Sequence, residues 1–292
     1  MPDLKNKVVR ELKPEWLKIK LHDGAGYAEV AHIVERHGLH TICSSGRCPN
    51  KAECWSRKTA TFMILGDICT RGCKFCATPT GRPLPVDKDE PQKVAESIRL
   101  MGLRHAVITS VDRDDLPDAG ADHWRRVIEA IKMVNPNTTV EVLLPDFDGR
   151  PELMDVVIGA KPHILGHNLE TIRRITPLVR SKAKYDTSLK TLAYFAQSGI
   201  PTKSGLMVGL GESHEEVLEA MSDLRKAGVE IVTLGQYLRP TAKHYLVDRY
   251  VTPEEFDQFK AEGLAMGFKY VASAPLVRSS YLADQAVEAC AK

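Results

Sequence analysis

Short apolar runs alternate with longer segments of helical periodicity from Thr59 onward. The runs are a few residues long and rich in β-branched side chains, which is typical of buried parallel strands. This alternation predicts an α/β fold in which helices cover a parallel sheet. The six predicted strands are residues 60–66, 105–111, 140–144, 163–166, 202–208 and 231–236.

The segment 121–134 illustrates how the predicted helices cover the sheet. Its large apolar side chains recur at helical spacing and fall on one face, namely Trp124, Val127, Ile128, Ile131 and Val134. We expect that face to pack against the sheet, because burying such a stripe is what stabilises an amphipathic helix.

Helix boundaries are also marked in the sequence. Ser213 with Glu216, and Thr252 with Glu255, have the spacing of capping boxes at helix N-termini. Glycine commonly ends a helix because it adopts the left-handed conformation without strain. The glycines expected to end helices in this way are Gly199 and Gly228.

Six β/α units, with no convincing seventh or eighth, predict a partial (β/α)6 barrel of the TIM type. An active site is then expected at the carboxyl ends of the strands. An open doubly wound sheet is the alternative. The predicted division is an N-terminal extension at residues 1–58, the barrel at 59–268 and a C-terminal extension at 269–292.

Composition adds little to this picture. The chain has 292 residues, of which 43% are hydrophobic and 27% charged, and 40 basic residues against 38 acidic ones give a net charge of +2. Charge therefore indicates neither a nucleic-acid partner nor a membrane surface. No apolar run approaches the roughly 18 residues that span a bilayer, and the N-terminus is charged, so we expect a cytoplasmic protein.

The cysteines are the first indication of chemistry. Six of the seven fall between Cys43 and Cys76, and Cys290 stands alone near the end. Disulfides are rare in a reducing cytosol, and a chain of this length can form its core without them, so clustered cysteines there more often bind metal or perform redox chemistry. We expect Cys290 to be a free thiol on a terminal helix.

Three cysteines, Cys69-x3-Cys73-x2-Cys76, directly follow the first predicted strand. Four cysteines commonly hold a four-iron cluster, so three would leave one iron without a protein ligand. An open metal position is a place for chemistry. A structural zinc site is the alternative, since thiolates also favour zinc.

A second set, Cys43-x4-Cys48-x5-Cys54, lies upstream of the predicted barrel. It again supplies only three thiols, so a fourth ligand must come from elsewhere or be absent. On spacing alone, zinc remains an alternative here too.

Cys69, Cys73 and Cys76, with the aromatic Phe75 before the last cysteine, resemble the signature of the radical S-adenosylmethionine (SAM) superfamily. The segment 205–212 is similar to the superfamily's glycine-bearing fifth-strand element. The resemblance implies that the three cysteines bind a four-iron cluster whose open iron chelates SAM. It also implies that Phe75 lies beside the adenine.

The upstream set, Cys43, Cys48 and Cys54, resembles more specifically the cysteines of lipoyl synthases that hold an auxiliary four-iron cluster. These enzymes end in an Arg-Ser-Ser-Tyr motif, present here at residues 278–281. The resemblance implies that Ser279 ligates the auxiliary cluster through its oxygen, and it assigns catalytic roles to Ser279 and to Cys69, Cys73 and Cys76. Without it, Ser279 would be interpreted as a helix cap.

The resemblance extends to the segments 109–116 and 167–170. It implies that Ser110, Asn168 and Glu170 contact the amino acid and ribose parts of SAM, although each side chain could equally cap a helix or satisfy a loop. Residues 44–46, Ser-Ser-Gly, depart from the acidic triplet common among lipoyl synthases, which leaves the cluster ligands intact.

The activity implied is insertion of two sulfur atoms, at carbons 6 and 8, into a protein-bound octanoyl-lysine. The implied cofactors are SAM and two four-iron clusters, one of which donates sulfur. The implied partners are octanoylated lipoyl domains of 2-oxoacid dehydrogenases, the glycine cleavage H protein, and an electron donor such as flavodoxin or ferredoxin. We expect no nucleic-acid or membrane partner.

Two other functional classes remain as alternatives. A radical enzyme that attaches methylthio groups to transfer RNA would also carry two cysteine triads, but it would normally need a basic RNA-binding extension, and this chain has no separate basic domain. A non-catalytic metal-binding module is the other alternative.

Overall fold

The computed structural model describes residues 13–18, 25–281 and 283–290. Within these ranges, eight strands form one sheet in chain order. The strands are β1 (His40–Thr41), β2 (Thr61–Ile64), β3 (His105–Ser110), β4 (Thr139–Leu143), β5 (Ile164–Gly166), β6 (Thr202–Val208), β7 (Ile231–Gln236) and β8 (Tyr270–Ser273).

Helices follow most of the strands. They are α1 (Ala25–Arg36), α2 (Ile42–Ser45), α3 (Lys51–Ser56), α4 (Glu90–Met101), α5 (Ala121–Val134), α6 (Pro151–Gly159), α7 (Thr176–Val179), α8 (Tyr185–Gln197), α9 (His214–Lys226), α10 (Pro253–Ala265) and α11 (Ala283–Cys290). Short 3-10 turns lie at Glu15–Leu17 and Phe147–Gly149.

All six predicted strands are present, and β2 to β8 run parallel in sequence order. A doubly wound sheet would instead reverse its strand order at a switch point. The order seen here is that of a TIM-type barrel left open between its edge strands, so the prediction of a partial barrel is confirmed.

Two strands were not predicted. β1 has only two residues and pairs antiparallel with β2, and β8 adds a seventh parallel strand beside β7. The first is too short to show a periodicity, and the second has partly exposed positions that hide its pattern. Each predicted extension therefore contributes one strand to the sheet.

The helices cover the sheet as their patterns predict. On α5, Trp124, Val127, Ile128 and Ile131 are fully buried. Both capping boxes form. Gly199 and Gly228 follow the ends of α8 and α9 with φ of 75° and 85°, the conformation expected of glycines that terminate helices.

Three charged or titratable side chains meet on the inner face of the sheet. Lys203 Nζ lies 2.6 Å from Glu141 Oε1, and His105 Nε2 lies 3.6 Å from Glu141 Oε2. Burial alone would raise the pKa of Glu141, but the charges of Lys203 and His105 outweigh it and lower the pKa. The ion pair between Lys203 and Glu141 therefore compensates two buried charges.

None of the helices in the described part of the chain has the length and apolar character needed to cross a bilayer.

Candidate functional site

The loop after β2, which carries Cys69, Cys73 and Cys76, is fixed by backbone hydrogen bonds. Cys69 N donates to Pro79 O at 2.8 Å, and Gly81 N donates back to Cys69 O at 3.0 Å. In its middle, Lys74 N donates to Val179 O at 2.7 Å, and Lys74 O accepts from Tyr245 N at 2.8 Å. The loop is therefore held in place at the carboxyl end of the barrel.

The thiols of this loop lie in a common environment. Burial raises the pKa of Cys69 to about 12, with a further increase from Asp112. Burial also raises the pKa of Cys73, and the charge of Cys76 contributes to both shifts. The backbone N–H groups of Arg71 and Asp112 donate to Cys69 Sγ at 3.4 and 3.3 Å, and such donors stabilise a thiolate.

Arg71 lies between Cys69 and Cys73 and ties the loop to the neighbouring strand ends. Its side chain is only 4% exposed and forms ion pairs with four carboxylates that follow β3 and β4. The four are Asp112, Asp114, Asp146 and Asp148. Sequence reasoning missed this network, although the acidic run after β3 could have indicated it.

A cavity of about 200 Å³ opens beside this loop at the carboxyl ends of β5, β6 and β7. It brings together five of the residues predicted from the sequence, namely Phe75, Cys76, Asn168, Glu170 and Ser279. Gly46, Arg47 and Pro49 of the upstream cysteine segment also line it. Ser110 ends β3 at the same edge of the sheet but does not line this first cavity.

Gly205 in β6 forms part of the cavity wall, and a larger residue at this position would crowd its neighbours. A Cβ at this position would lie 2.8 Å from Thr233 Oγ1, 2.9 Å from Asn168 Oδ1 and 3.2 Å from Ser279 Oγ. The glycine thus permits these three side chains to approach the backbone of β6 closely.

Glu170 adopts an unusual backbone conformation at this edge. Its φ is 73°, a left-handed value that is strained for a non-glycine residue. Its N–H donates to Gly205 O at 2.9 Å, and its carbonyl accepts from Met207 N at 2.8 Å. Burial raises the pKa of Glu170, opposed by the nearby Arg180.

Arg180 is a second charged residue that sequence reasoning missed. Nη1 donates to Ser188 Oγ at 3.0 Å, whereas the buried Nε has no hydrogen-bond partner among the described residues. Its charge acts on both Cys73 and Glu170. No local motif marks it, since it reaches the site only through the turn after α7.

The upstream cysteines lie on two short helices and the turn between them. Cys43 is in α2, Cys54 is in α3, and Cys48 N donates to Cys43 O at 3.1 Å. Burial raises the pKa of Cys48, and it raises that of Cys54 to about 12 with further increases from the other two cysteines. The three thiols therefore interact electrostatically.

The C-terminal segment is bound to these helices by long-range hydrogen bonds. Asn50 Nδ2 donates to Leu276 O at 2.7 Å, and Tyr281 Oη donates to Glu53 Oε1 at 3.0 Å. The structure thus brings the Arg-Ser-Ser-Tyr motif against the helices that carry the upstream cysteines.

A second cavity, of about 530 Å³, is lined by Cys43, Cys48 and Cys54. Ser280 lines it as well, and Ser280 Oγ accepts from Thr61 Oγ1 at 2.7 Å. Ser279 instead lines the first cavity, and Arg278 lines both. The two cavities therefore adjoin at the Arg-Ser-Ser-Tyr motif.

The donor chemistry of both sets fits iron–sulfur clusters, since each provides three soft thiol ligands. Across the ranges described, no three His, Cys, Asp or Glu side chains converge closely enough to hold a single metal ion.

Comparisons with known proteins identify close relatives. Residues 63–235 match the family model of the radical SAM superfamily. A lipoyl synthase of Phocaeicola vulgatus is 61% identical over 276 residues, covering 94% of this chain and 97% of that protein. The lipoyl synthases of Bacteroides fragilis and Treponema denticola are 62% and 55% identical, with coverage of 94% of this chain and of 96% and 95% of those proteins.

Solved structures share the fold at much lower identity. Methylornithine synthase superposes with a TM-score of 0.51 at 11% identity, covering 88% of this chain and 85% of that protein. A maturase of the FeFe-hydrogenase gives a TM-score of 0.55 at 14% identity, covering 85% of this chain and 68% of that protein. At these identities the likeness concerns the fold alone.

Proposed function

This chain belongs to the lipoyl synthase family of the radical SAM superfamily, and on that premise we propose which of its residues carry the reaction. The family activity is radical-mediated insertion of two sulfur atoms, at carbons 6 and 8, into a protein-bound octanoyl-lysine. It requires SAM and two four-iron clusters.

We propose that Cys69, Cys73 and Cys76 hold the cluster that binds SAM. Support comes from the rigid loop that carries them and from the N–H groups aimed at Cys69 Sγ. When bound, this cluster and SAM supply one-electron cleavage chemistry that removes hydrogen from an unactivated C–H bond.

The SAM-binding residues are assigned to the first cavity. Phe75 is half-buried beside Cys76 and offers an aromatic face to the adenine, while Asn168 and Glu170 offer polar groups to the ribose and amino acid. Gly205 keeps the wall open beside them. Ser110, at the end of β3, is assigned to the amino acid part although it lies outside the cavity lining.

Cys43, Cys48, Cys54 and Ser279 are assigned to the auxiliary cluster, which supplies sulfur when bound. The three thiols interact electrostatically, and the charge of Arg278 opposes the increase in the pKa of Cys48. Ser279 is adjacent to Arg278 at the junction of the two cavities. A serine oxygen binds iron less tightly than a thiolate, which suits a ligand that must be released.

The observation that carries this proposal is the shared lining of the first cavity. Residues of the upstream segment, the loop after β2 and the Arg-Ser-Ser-Tyr motif meet in one concave space. We propose that these walls limit access of water and position a substrate chain near both cysteine sets, which a radical reaction needs because its intermediates react indiscriminately.

We further propose a functional division into residues 1–58, 59–268 and 269–292, which carry the auxiliary cysteines, the SAM-binding barrel and the serine ligand. Since β1 and β8 join the barrel sheet, these are functional regions of one folded unit.

The substrate is a protein-bound octanoyl group. We propose lipoyl domains of 2-oxoacid dehydrogenases and the glycine cleavage H protein as its carriers, and flavodoxin or ferredoxin as the electron donor. A cytoplasmic location is supported by the seven unpaired cysteines, because thiols stay reduced there.

The test is anaerobic incubation of the iron-loaded protein with reductant, SAM and an octanoylated carrier peptide. We expect 5′-deoxyadenosine together with a dithiolated peptide, both quantified by mass spectrometry. Neither product should form in the Cys69→Ala variant. Loaded protein that forms no 5′-deoxyadenosine would refute the proposal.

A further inference from the structure

The second cavity extends well beyond the cysteines that line it. Its wall continues past Thr61, His105 and Thr139, the first residues of β2, β3 and β4. It ends at solvent-exposed residues, which are Arg57, Lys58, Gly102, Arg104, Asp284 and Glu288. The auxiliary cysteines therefore have a route to solvent at the amino end of the barrel, opposite to the first cavity.

The terminal helix α11 narrows this route. Ala286 packs against Ile164 and Ile231, the first residues of β5 and β7, so the helix lies across the amino end of the barrel. Val287 and Glu288 on the same helix line the cavity. A larger side chain at position 287 would reduce the open cross-section.

The lining is predominantly basic. Four basic side chains face two acidic ones, Asp284 and Glu288. Lys58 pairs with Glu29 at 2.6 Å and Arg57 pairs with Glu53 at 3.9 Å, and both carboxylates lie outside the lining. Arg104 and Arg278 have no carboxylate partner within the described chain, so these two side chains present unpaired positive charge to small solutes in the cavity. Fixed charges in a concave site concentrate ions of opposite sign.

A buried polar group also faces this passage. His105 lines it with a side chain only 9% exposed, and its Nε2 lies 3.6 Å from Glu141 Oε2 with no hydrogen bond to any described residue. Because that distance is too long for a hydrogen bond, the ring nitrogen can still bond to a small polar solute.

We propose that the second cavity admits small anions that carry sulfide or ligate iron, such as hydrosulfide and low-molecular-weight thiolates, to Cys43, Cys48 and Cys54. The inference rests on the proposed function, because a cluster that gives up its sulfide must be supplied again. In this arrangement the substrate occupies the first cavity, whereas the anions that rebuild the auxiliary cluster enter through the second cavity, from the other side of the auxiliary cysteines.

The test uses the metal-free full-length chain, with iodoacetate as an anionic probe and iodoacetamide as a neutral one. In both reactions the cysteine thiolate forms a carbon–sulfur bond and iodide leaves. Rates at each cysteine are measured by mass spectrometry, so Cys73 and Cys76 provide an internal control in every sample.

Two variants probe the passage in different ways. Val287→Trp should slow alkylation of Cys48 and Cys54 by both reagents, roughly threefold or more, because the indole fills the narrow part of a packed wall. Arg104→Glu should slow iodoacetate at these cysteines by roughly threefold while sparing iodoacetamide, because it reverses an attracting charge. Rates at Cys73 and Cys76 should stay unchanged.

Gln285→Trp and Lys190→Glu serve as matched controls, since both residues are exposed and outside the lining of either cavity. Arg104 is exposed, so the inference remains testable with Arg104→Glu if Val287→Trp does not fold. Equal rates at Cys48 and Cys54 in the parent and Arg104→Glu proteins would overturn it, even in protein that forms lipoyl product. Absence of lipoyl product would instead count against the proposed function.

Discussion

Asn168 donates a hydrogen bond from its side-chain amide to Ser279 Oγ at 2.7 Å, across 111 residues of sequence. The bond joins a residue assigned to SAM with one assigned to the auxiliary cluster. It holds the serine at the rim of the first cavity, within 3.2 Å of the position that a Cβ on Gly205 would occupy.

Replacing Ser279 with alanine should separate the two half-reactions. We expect 5′-deoxyadenosine formation to persist while lipoyl yield falls by roughly tenfold or more, a typical cost of disturbing a metal's ligand environment. Ser280→Ala is the matched control, because Ser280 contacts Thr61 instead of Asn168. An unchanged lipoyl yield in Ser279→Ala, or a selective loss in Ser280→Ala, would contradict the assignment.

Removing each cysteine set should remove one cluster. The parent protein should bind about eight iron per chain, as expected for two four-iron clusters. Alanine at Cys43, Cys48 and Cys54 should leave about four iron atoms per chain and retain SAM cleavage. Alanine at Cys69, Cys73 and Cys76 should also leave about four iron atoms per chain but abolish SAM cleavage. Zinc in place of iron, measured by elemental analysis, would favour a structural site.

Gly205→Ala should impair SAM binding. The new methyl group would press on Thr233, Asn168 and Ser279, so we expect weaker SAM binding in equilibrium dialysis together with a lower midpoint of thermal unfolding. Gly159→Ala, in α6, is the control because its Cβ would have nothing within 4 Å. That control should stabilise the protein by up to about 1 kcal/mol, the helix-propensity difference between the residues. Equal SAM affinity in both variants would count against the role of Gly205.

Iron loading should strengthen as pH rises from 7 to 9. Burial raises the pKa of Cys54 and of Cys69 to about 12, so both thiols are protonated in the metal-free chain at neutral pH and release protons when they bind iron. Each proton released contributes a factor of about ten in affinity per pH unit.

Competition against a chelator of known pH dependence would measure the slope of iron affinity. Cys290→Ala, outside both motifs, should not change that slope. An affinity independent of pH would show that the thiols are already ionised.

The single variant Lys203→Met should be less stable than the double variant in which Glu141 is also replaced with leucine. The single change leaves the Glu141 carboxylate buried without its cation, a loss of about 3–5 kcal/mol in the free energy of unfolding. The double change removes both charges, so urea unfolding should show a recovery of stability. A double variant no more stable than the single one would contradict this expectation, and the difference between parent and double variant measures the net contribution of the pair.

The lowered pKa of Glu141 sets the pH at which this contribution disappears. Stability from the ion pair is present above the ordinary carboxyl pKa near 4.5 and is lost as pH falls through the lower folded-state value. The difference between parent and double variant should therefore shrink in acid.

Local patterns in the sequence determined most of the elements. The six predicted strands, the buried stripe of α5 and both capping boxes depend on patterns within a few residues, so spacing and side-chain type suffice to place them. The two cysteine motifs are equally local. Their iron–sulfur chemistry follows from the family resemblance, since number and spacing of the thiols alone left zinc as an alternative.

Tertiary structure decided the rest. The pairing of β8 with β7, the ion pairs of Arg71 and the bonds from Asn50 to Leu276 and from Asn168 to Ser279 join segments that no periodicity relates. Two residues that lie 226 positions apart, such as Asn50 and Leu276, meet only because the sheet brings the segments before β2 and after β8 together. The sequence predicts the ligands, whereas the tertiary fold determines which of these residues share a cavity, because that depends on packing between distant segments.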